Sequence, residues 1–549
     1  MVRYYSALGA ILALMASAPV AALQTPPVPI DPGLAARTSL SSSDQETTRE
    51  PAEAEASSRA LGDALHGATI GAVHVAGAPG IARDQFAAVV APFLGREFGG
   101  GDTQELLGAI SGVARKNGYA FATSRIPPQT INAGVLTVEL SEGRIDEVRL
   151  EGEQRGEVAD LMRPLVGEIA RTDDVDRYLM LATDLPGITI GKVRYIVESG
   201  RGILIVPVTY DRIRGWAILD NRGSKALGPL RAQMGIDVAA LLSLDDRLTV
   251  QSVVTPAEPG ELSVLFARYA YLLPGASTEL ALSGTYGRTN SGGRWAQYNP
   301  RGQSIGGTAS MTRTLARGRA DSLWASLDFS YLKIDQWWQD EPSQRDRIAA
   351  LGLSLNGYTS FVRGRLRAGA SATRAIPMLG ATRQGDPLAS RSGAGSDYLV
   401  VRAWTNWTGG LAGPFSARLG ITTQLASEPI LAVDQLSIGG PGFGRGYDFS
   451  ERTGDEGALG SAELRSDIID RGHGFLRWMQ LYAFADGGVV RDLRASFGTG
   501  DLYSAGAGAR VRLGSKLRLE VEAAFPISHV RYDSGDKAPL VSAVLGAQF

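Results

Sequence analysis

Residues 516–525 read KLRLEVEAAF, and residues 502–513 read LYSAGAGARVRL. In the first stretch every second residue is apolar from Leu517 to Phe525, while the positions between them carry Lys, Arg, Glu, Glu and Ala. A period of two places alternate side chains on opposite faces of a β-strand. Both stretches are therefore predicted to be strands with one apolar face and one face of polar or small residues.

The same alternation recurs throughout residues 211–549. It occurs in segments of about ten residues, separated by turns rich in Gly, Asp, Asn, Ser and Pro, and about sixteen such segments can be counted. All eight tryptophans of the chain lie in this region, which shows no convincing helical pattern. The number of segments falls within the range of transmembrane β-barrels.

A soluble β-sandwich would show the same alternation with its apolar face turned inward. The region 211–549 is too long for one sandwich, yet it contains no linker between domains. In a closed barrel every backbone group is paired, so apolar faces can contact lipid while Arg and Glu rows line a water-filled lumen. We therefore predict an all-β, antiparallel transmembrane barrel with outer-membrane lipid around it. Its last strand ends on Phe549, a feature that outer-membrane assembly machinery recognises, so this machinery is a predicted partner.

Composition argues against several classes of function. The chain has no cysteine, which excludes disulfides, thiolate nucleophiles and most structural zinc sites. Its four histidines show no metal-ligand spacing, and no GxSxG, HExxH or Ser/His/Asp set stands out. The 55 Lys and Arg residues nearly balance the 57 Asp and Glu residues, so nothing indicates a nucleic-acid partner. We expect no enzymatic activity, no catalytic residues, no metal and no cofactor.

The N-terminal segment predicts export. Residues 1–22 combine a positive charge at Arg3, an apolar stretch and a small-residue end, as in a secretory signal peptide. Residues 23–67 are rich in Pro, Ser, Glu and Ala, which predicts a linker with room for a short plug helix. Two small α+β units follow, at 68–143 and 144–210, each with a β-α-α-β-β order of segments. The predicted barrel occupies 211–549.

One segment interrupts the strand pattern: QLSIGGPGFGRGYDFSERTGDEGALG, at 435–460. Its length is unusual for a hairpin connection, and long loops are commonly functional or disordered. A phosphate-binding loop is excluded because no Lys-Ser/Thr pair follows the glycines, whereas an extracellular loop without function remains the alternative on composition alone. Asp486 lies in an otherwise apolar or small-residue strand, where a carboxylate is costly unless it faces the lumen and is paired. Arg445, at the centre of the loop, is its natural partner because a guanidinium binds carboxylates bidentately.

These motifs resemble those of the two-partner secretion transporters, the TpsB family. Gly444, Arg445, Gly446 and Tyr447 match the family's VRGY/F loop motif, and Phe484, Asp486 and Gly488 match its FxDxG strand motif. Pro127, Pro128 and Gln129, with the strand after them, resemble the end of the first POTRA domain, and DNRGS at 220–224 resembles the start of the barrel. Phe443-Gly444 departs from the family, which commonly has a branched residue before the Arg.

The resemblance covers about 68 to 549 and implies a 16-stranded barrel in the outer membrane, two periplasmic POTRA domains and a lumen loop after strand 11. It implies that Arg445 and Asp486 pair and fix this loop to the barrel wall. The POTRA domains would capture an unfolded exoprotein of the TpsA type, which then passes outward without ATP, and the transporter is expected to be monomeric. An outer-membrane protein assembly factor of the same superfamily is the alternative, and a passive porin is a weaker one.

Overall fold

The computed structural model describes residues 47–49, 67–77, 79–99, 101–131, 134–470, 474–494 and 500–549. The predicted signal peptide, and the predicted linker or plug helix apart from 47–49 and residue 67, lie outside these residues. The chain divides into two compact units. One contains 29–211 together with Arg317–Arg319, and the other contains Arg212–Ala316 and Ala320–Phe549.

In the described residues, the first unit contains short strands and four α-helices. In chain order these are β1 (Thr47–Arg49), β2 (Ala72–Ala76), α1 (Arg83–Val90), α2 (Asp102–Lys116), β3 (Thr123–Arg125), β4 (Val135–Ser141), β5 (Glu147–Gly152), α3 (Gly156–Met162), α4 (Thr172–Asp184), β6 (Ile188–Ile190), β7 (Arg194–Glu198) and β8 (Arg201–Tyr210). Their strands form two sheets, with the orders β2-β4-β3 and β1-β7-β8-β5, and β6 also pairs with β8. None of the helices in the described part of the chain is long and apolar enough to span a membrane.

Helix α2 shows how the sequence builds this unit. Its Leu106 and Ile110 lie on one face and are fully buried in an apolar core that includes Leu136 of β4. The carboxylate of Asp102, in the first turn, accepts hydrogen bonds from the Arg96 guanidinium and from a backbone N–H just before the helix. A carboxylate at this end of a helix also interacts favourably with the helix dipole.

The second unit is a closed antiparallel barrel, which confirms the predicted fold class. Its 16 strands in the described residues are β9 (Ile213–Asp220), β10 (Arg231–Ala239), β11 (Asp246–Val254), β12 (Leu262–Leu272), β13 (Thr278–Asn290), β14 (Arg301–Arg317), β15 (Ser322–Trp338), β16 (Glu341–Phe361), β17 (Gly364–Ile376), β18 (Leu399–Gly410), β19 (Phe415–Ala426), β22 (Glu456–Asp470), β23 (Leu476–Arg491), β24 (Gly500–Leu513), β25 (Leu517–Pro526) and β26 (Leu540–Gln548). Strand β26 pairs with β9 and closes the ring.

The two faces of the barrel wall differ as the alternation predicts. On β25, Val521 and Phe525 are 43% and 47% exposed on the outer face, whereas Glu522 on the inner face is only 4% exposed. Strand β22 does not follow β19 directly. The connection between them, residues 427–455, contains a small hairpin of β20 (Leu436–Ile438) and β21 (Arg452–Gly454). We call residues 427–455 the lumen loop.

The lumen loop differs in its bounds from the predicted range of 435–460. The predicted range begins inside the connection and ends within β22. Gly457 and Gly460 lie in that strand, paired with Gln424 and Ile421 of β19. Glycine weakens a strand pattern because it contributes no side chain to the alternation. The start of β22 therefore resembles a loop in the sequence although it is part of the wall.

Candidate functional site

The tip of the lumen loop folds as a compact glycine turn. Gly444 has a φ of +75°, a conformation that residues with a side chain rarely adopt. Tyr447 donates its backbone N–H to the carbonyl of Gly444 at 2.9 Å. A Cβ on Gly446 would lie 2.6 Å from the backbone carbon of Phe525, so only glycine lets the tip approach the end of β25 this closely. These glycines place the Arg445 side chain against the inner face of the wall.

The structure brings the two sequence motifs together. The Nε atom of Arg445 lies 2.8 Å from Oδ2 of Asp486 on β23, and the Asp486 side chain is fully buried. Oδ1 of Asp486 also accepts the backbone N–H groups of Gly444 at 3.0 Å and of Arg445 at 3.2 Å. It accepts a further hydrogen bond from the hydroxyl of Ser504 on β24. Asp486 therefore holds both the charge and the backbone of the loop tip.

Arg445 has two further carboxylate neighbours, which the sequence analysis did not identify. Its Nη1 lies 2.8 Å from Oε2 of Glu522 on β25, and its Nη2 lies 3.4 Å from Oε2 of Glu463 on β22. Its guanidinium carbon lies 3.8 Å from the centre of the Phe484 ring, which gives the Phe of the strand motif a cation–π contact. One guanidinium thus connects the loop to three wall strands, β22, β23 and β25.

A second layer of charges surrounds this cluster. Arg510 on β24 contacts Glu463 at 2.6 Å and Glu520 at 3.0 Å, and its guanidinium carbon lies 3.8 Å from the Tyr482 ring. Arg222, in the DNRGS segment, contacts Glu520 at 2.7 Å. Each of the buried carboxylates in this cluster therefore lies against at least one guanidinium, which offsets the cost of removing it from water.

The remaining residues of the two motifs, Tyr447 and Gly488, have structural roles. The hydroxyl of Tyr447, which is 1% exposed, lies 3.0 Å from that of Ser528 and accepts the backbone N–H of His529 at 2.9 Å. Both of these partners lie in the connection after β25. A Cβ on Gly488 would collide with the backbone carbonyl of Ala458 on the neighbouring β22. Tyr447 therefore anchors the loop tip on one side, and Gly488 permits close pairing of the wall strands.

Pro127, Pro128 and Gln129 lie in the first unit, between β3 and β4. The Gln129 side chain donates to the carbonyl of Thr137 at 2.6 Å and accepts its N–H at 2.8 Å. This amide therefore continues the pairing along β4 beyond the end of β3. It covers backbone groups that would otherwise be open to another strand.

The sequence motifs did not predict the two further carboxylates that contact Arg445, although each of them has a recognisable position in the sequence pattern. Glu522 lies in the stretch that predicts the barrel, on its polar face, and Glu463 is the register partner of Phe484 in the neighbouring strand. An inward-facing carboxylate next to a motif residue is a candidate partner for any lumen cation. Finding Glu463 by this route, however, requires the pairing of β22 with β23.

A 16-stranded barrel with a lumen loop bound to its inner wall, preceded by small α+β domains, defines an outer-membrane barrel transporter. The family described as haemolysin secretion/activation protein ShlB/FhaC/HecB matches residues 202–511, and the ShlB-type POTRA domain matches residues 68–143. The chain belongs to the ShlB/FhaC/HecB family of outer-membrane transporters.

Individual relatives are similar over most of the chain. The heme/hemopexin transporter protein HuxB of Haemophilus influenzae is 21% identical over 480 residues, which cover 83% of each chain. The outer membrane transporter CdiB of Dickeya dadantii is 20% identical over 408 residues, covering 70% of this chain and 69% of CdiB. The solved structure of CdiB from Escherichia coli shares the fold, with a TM-score of 0.65 and 17% identity over 88% of this chain and 90% of that one.

Proposed function

We propose that this protein captures an unfolded exoprotein of the TpsA type in the periplasm and exports it through the barrel lumen without ATP, as a monomer and without catalysis. The observation that carries the proposal is the lumen loop, whose Arg445 binds three buried wall carboxylates. A loop fixed inside a barrel by a few strong contacts closes the passage and yet can be displaced as a unit. The family match supports a secreted protein as the cargo rather than a small solute.

Capture rests on strand edges in the first unit. Among the described residues, β2 is an edge of its sheet and β5 is an edge of the other sheet. The outer edge of β7 pairs in parallel with Thr47–Arg49, so this edge accepts an extended chain. An unfolded polypeptide can add to such edges through backbone hydrogen bonds with little demand on its sequence. Gln129 covers part of β4, which favours β2 and the second sheet as capture edges.

The cargo is proposed from the relatives. Their names describe a heme/hemopexin transporter and an outer-membrane transporter, and the family description refers to haemolysin secretion. We infer a large secreted protein of the haemolysin or haemagglutinin type. The sequence contains no Walker-type phosphate loop, which supports export driven by folding outside the cell rather than by ATP.

The test is deletion of the gene in its host, followed by mass spectrometry of the medium, the cell surface and the outer membrane. The proposal expects the loss of at least one large exoprotein, its return with the wild-type gene, and unchanged levels of other outer-membrane proteins. A general fall in outer-membrane barrel proteins would instead indicate an assembly factor. Unchanged exoproteins would refute the proposal.

A further inference from the structure

A second connection lies inside the barrel beside the lumen loop. Residues 377–398 join β17 to β18, and Ala394 and Tyr398 of this connection are buried in an apolar cluster with Ile430 and Leu431 of the lumen loop. The cluster includes Ile348 of β16, which is 6% exposed.

The register of β16 shows on which side of the wall this cluster lies. Leu351 and Leu353 are 46% and 57% exposed on the outer face of the strand. Ile348 and Ala350 belong to the opposite, inner face because successive side chains alternate. The two connections therefore pack together against the inner wall, and part of the lumen is filled by apolar side chains.

Arg391 ties this second connection to the base of the lumen loop. Its Nη1 contacts the carboxylate of Asp455 and donates to the carbonyl of Ile430 at 2.6 Å, and its Nη2 lies 3.0 Å from Oδ1 of Asp492. Asp455 is the last residue of the lumen loop, and Asp492 directly follows β23. Both carboxylates are buried, with exposed fractions of 0% and 2% for their side chains.

Asp455 also connects the two ends of the lumen loop. Its Oδ1 accepts the backbone N–H of Ile430 at 3.1 Å, and its Oδ2 accepts that of Leu493 at 2.9 Å. The two connections meet a second time where the hydroxyl of Ser390 accepts the backbone N–H of Ala432 at 3.0 Å. These contacts are separate from the cluster around Arg445, which lies at the tip of the loop.

From this geometry we propose that residues 389–398 form a second element that closes the lumen, and that Arg391 is the positioning residue that holds it to the base of the lumen loop. The proposal rests on the proposed function, since it takes the lumen as the export route. Without the guanidinium, two buried carboxylates lose their shared cation and the carbonyl of Ile430 loses a donor. The apolar cluster alone then has to hold the two connections together.

The test measures ion conductance of the purified full-length protein in planar lipid bilayers, which requires no exoprotein. Arg391→Ala should raise the occupancy of open states about tenfold or more, because two buried carboxylates lose the guanidinium that they share. The matched control is Arg374→Ala, which removes a guanidinium from Asp397 of the same connection. That pair is 51% and 64% exposed, and such pairs contribute little. We expect its conductance to equal that of the wild type.

A reversible restraint separates positioning from simple damage. The chain has no cysteine, so Ser390→Cys with Ala432→Cys introduces a single thiol pair. The observed hydrogen bond keeps their Cα atoms within roughly 7 Å, which a disulfide can span. In the Arg391→Ala background, oxidation should return conductance to the wild-type level, and reduction of the same sample should raise it again.

Wild-type conductance in Arg391→Ala would overturn the proposal. So would a raised conductance that the disulfide does not lower, because Arg391 would then act through its charge and not by holding the segment. A further outcome is that the variants show the expected conductances while the wild type exports no exoprotein in its host. That result would support the second closing element and would refute only the proposed function.

Discussion

Replacing Arg445 with alanine should weaken docking of the lumen loop by about as much as replacing Asp486 does. Removing one partner of a buried charge pair costs about 3–5 kcal/mol, because the other charge stays desolvated. Arg445 serves three carboxylates, yet Glu463 keeps contacts with Arg510 and Arg465 after its loss. We therefore expect the total loss of docking free energy in Arg445→Ala to lie near this range. It corresponds to a change of about a hundredfold to a few thousandfold in the docking equilibrium.

Asp486→Ala leaves the guanidinium between Glu522 and Glu463 but removes the acceptor of two backbone N–H groups at the loop tip. Each unsatisfied buried donor costs about 1–3 kcal/mol, so the two donors together should make the loss similar to that of Arg445→Ala. In the double variant the carboxylate that Arg445→Ala strands is absent. The loss of docking free energy in the double variant should therefore stay close to that of Arg445→Ala alone, which gives a clear coupling energy in the double-mutant cycle.

The assay is the occupancy of open states in planar bilayers, with export of the exoprotein as the functional readout. Membrane levels and heat-modifiable gel mobility should stay normal, because the hydrogen-bonded wall does not depend on this cluster. Arg445→Lys should restore little, since a single ammonium cannot contact three carboxylates in the geometry of the guanidinium. Additive effects of the two alanine substitutions would refute this account of the cluster.

Three further predictions concern the loop tip, the two N-terminal units and Asp102. Gly446→Ala should raise open-state occupancy, because its Cβ would lie 2.6 Å from the backbone at the end of β25, whereas Gly442→Ala, with no atom within 4 Å, should behave as wild type. Deleting 68–143 or 144–210 should abolish exoprotein export in vivo while the barrel still reaches the outer membrane, and undiminished export would refute capture by these units. Hydrogen bonds from Arg96 and Gly99 lower the pKa of Asp102, so its stabilisation should be present above the ordinary carboxyl pKa and be lost as the pH falls through the lowered value. In thermal unfolding, Asp102→Asn should therefore melt below the wild type near pH 7, and the difference should shrink as the pH falls through the lowered pKa of Asp102. A difference that stays constant in acid would contradict this origin.

The sequence alone determined the local features of this protein. A period of two needs only neighbouring residues, so the strands and their lipid-facing side could be predicted from stretches such as 516–525. Asp486, a carboxylate inside an apolar strand, implied an inward orientation and a cationic partner because a membrane does not tolerate an unpaired charge. The motif around Arg445 was visible because its glycines and its long loop interrupt the pattern.

The tertiary structure decided what alternation cannot show, which is the set of strands that meet. Glu522 lies 77 residues from Arg445 in the chain and reaches it only because the ring of strands closes and the loop folds inward. The bounds of the lumen loop depended on the pairing of β22 with β19, and the apolar cluster behind Arg391 depended on two connections folding into the same lumen. Alternation assigns a side chain to a face of its strand, whereas its partners are set by register and by loop packing, which involve residues far apart in sequence.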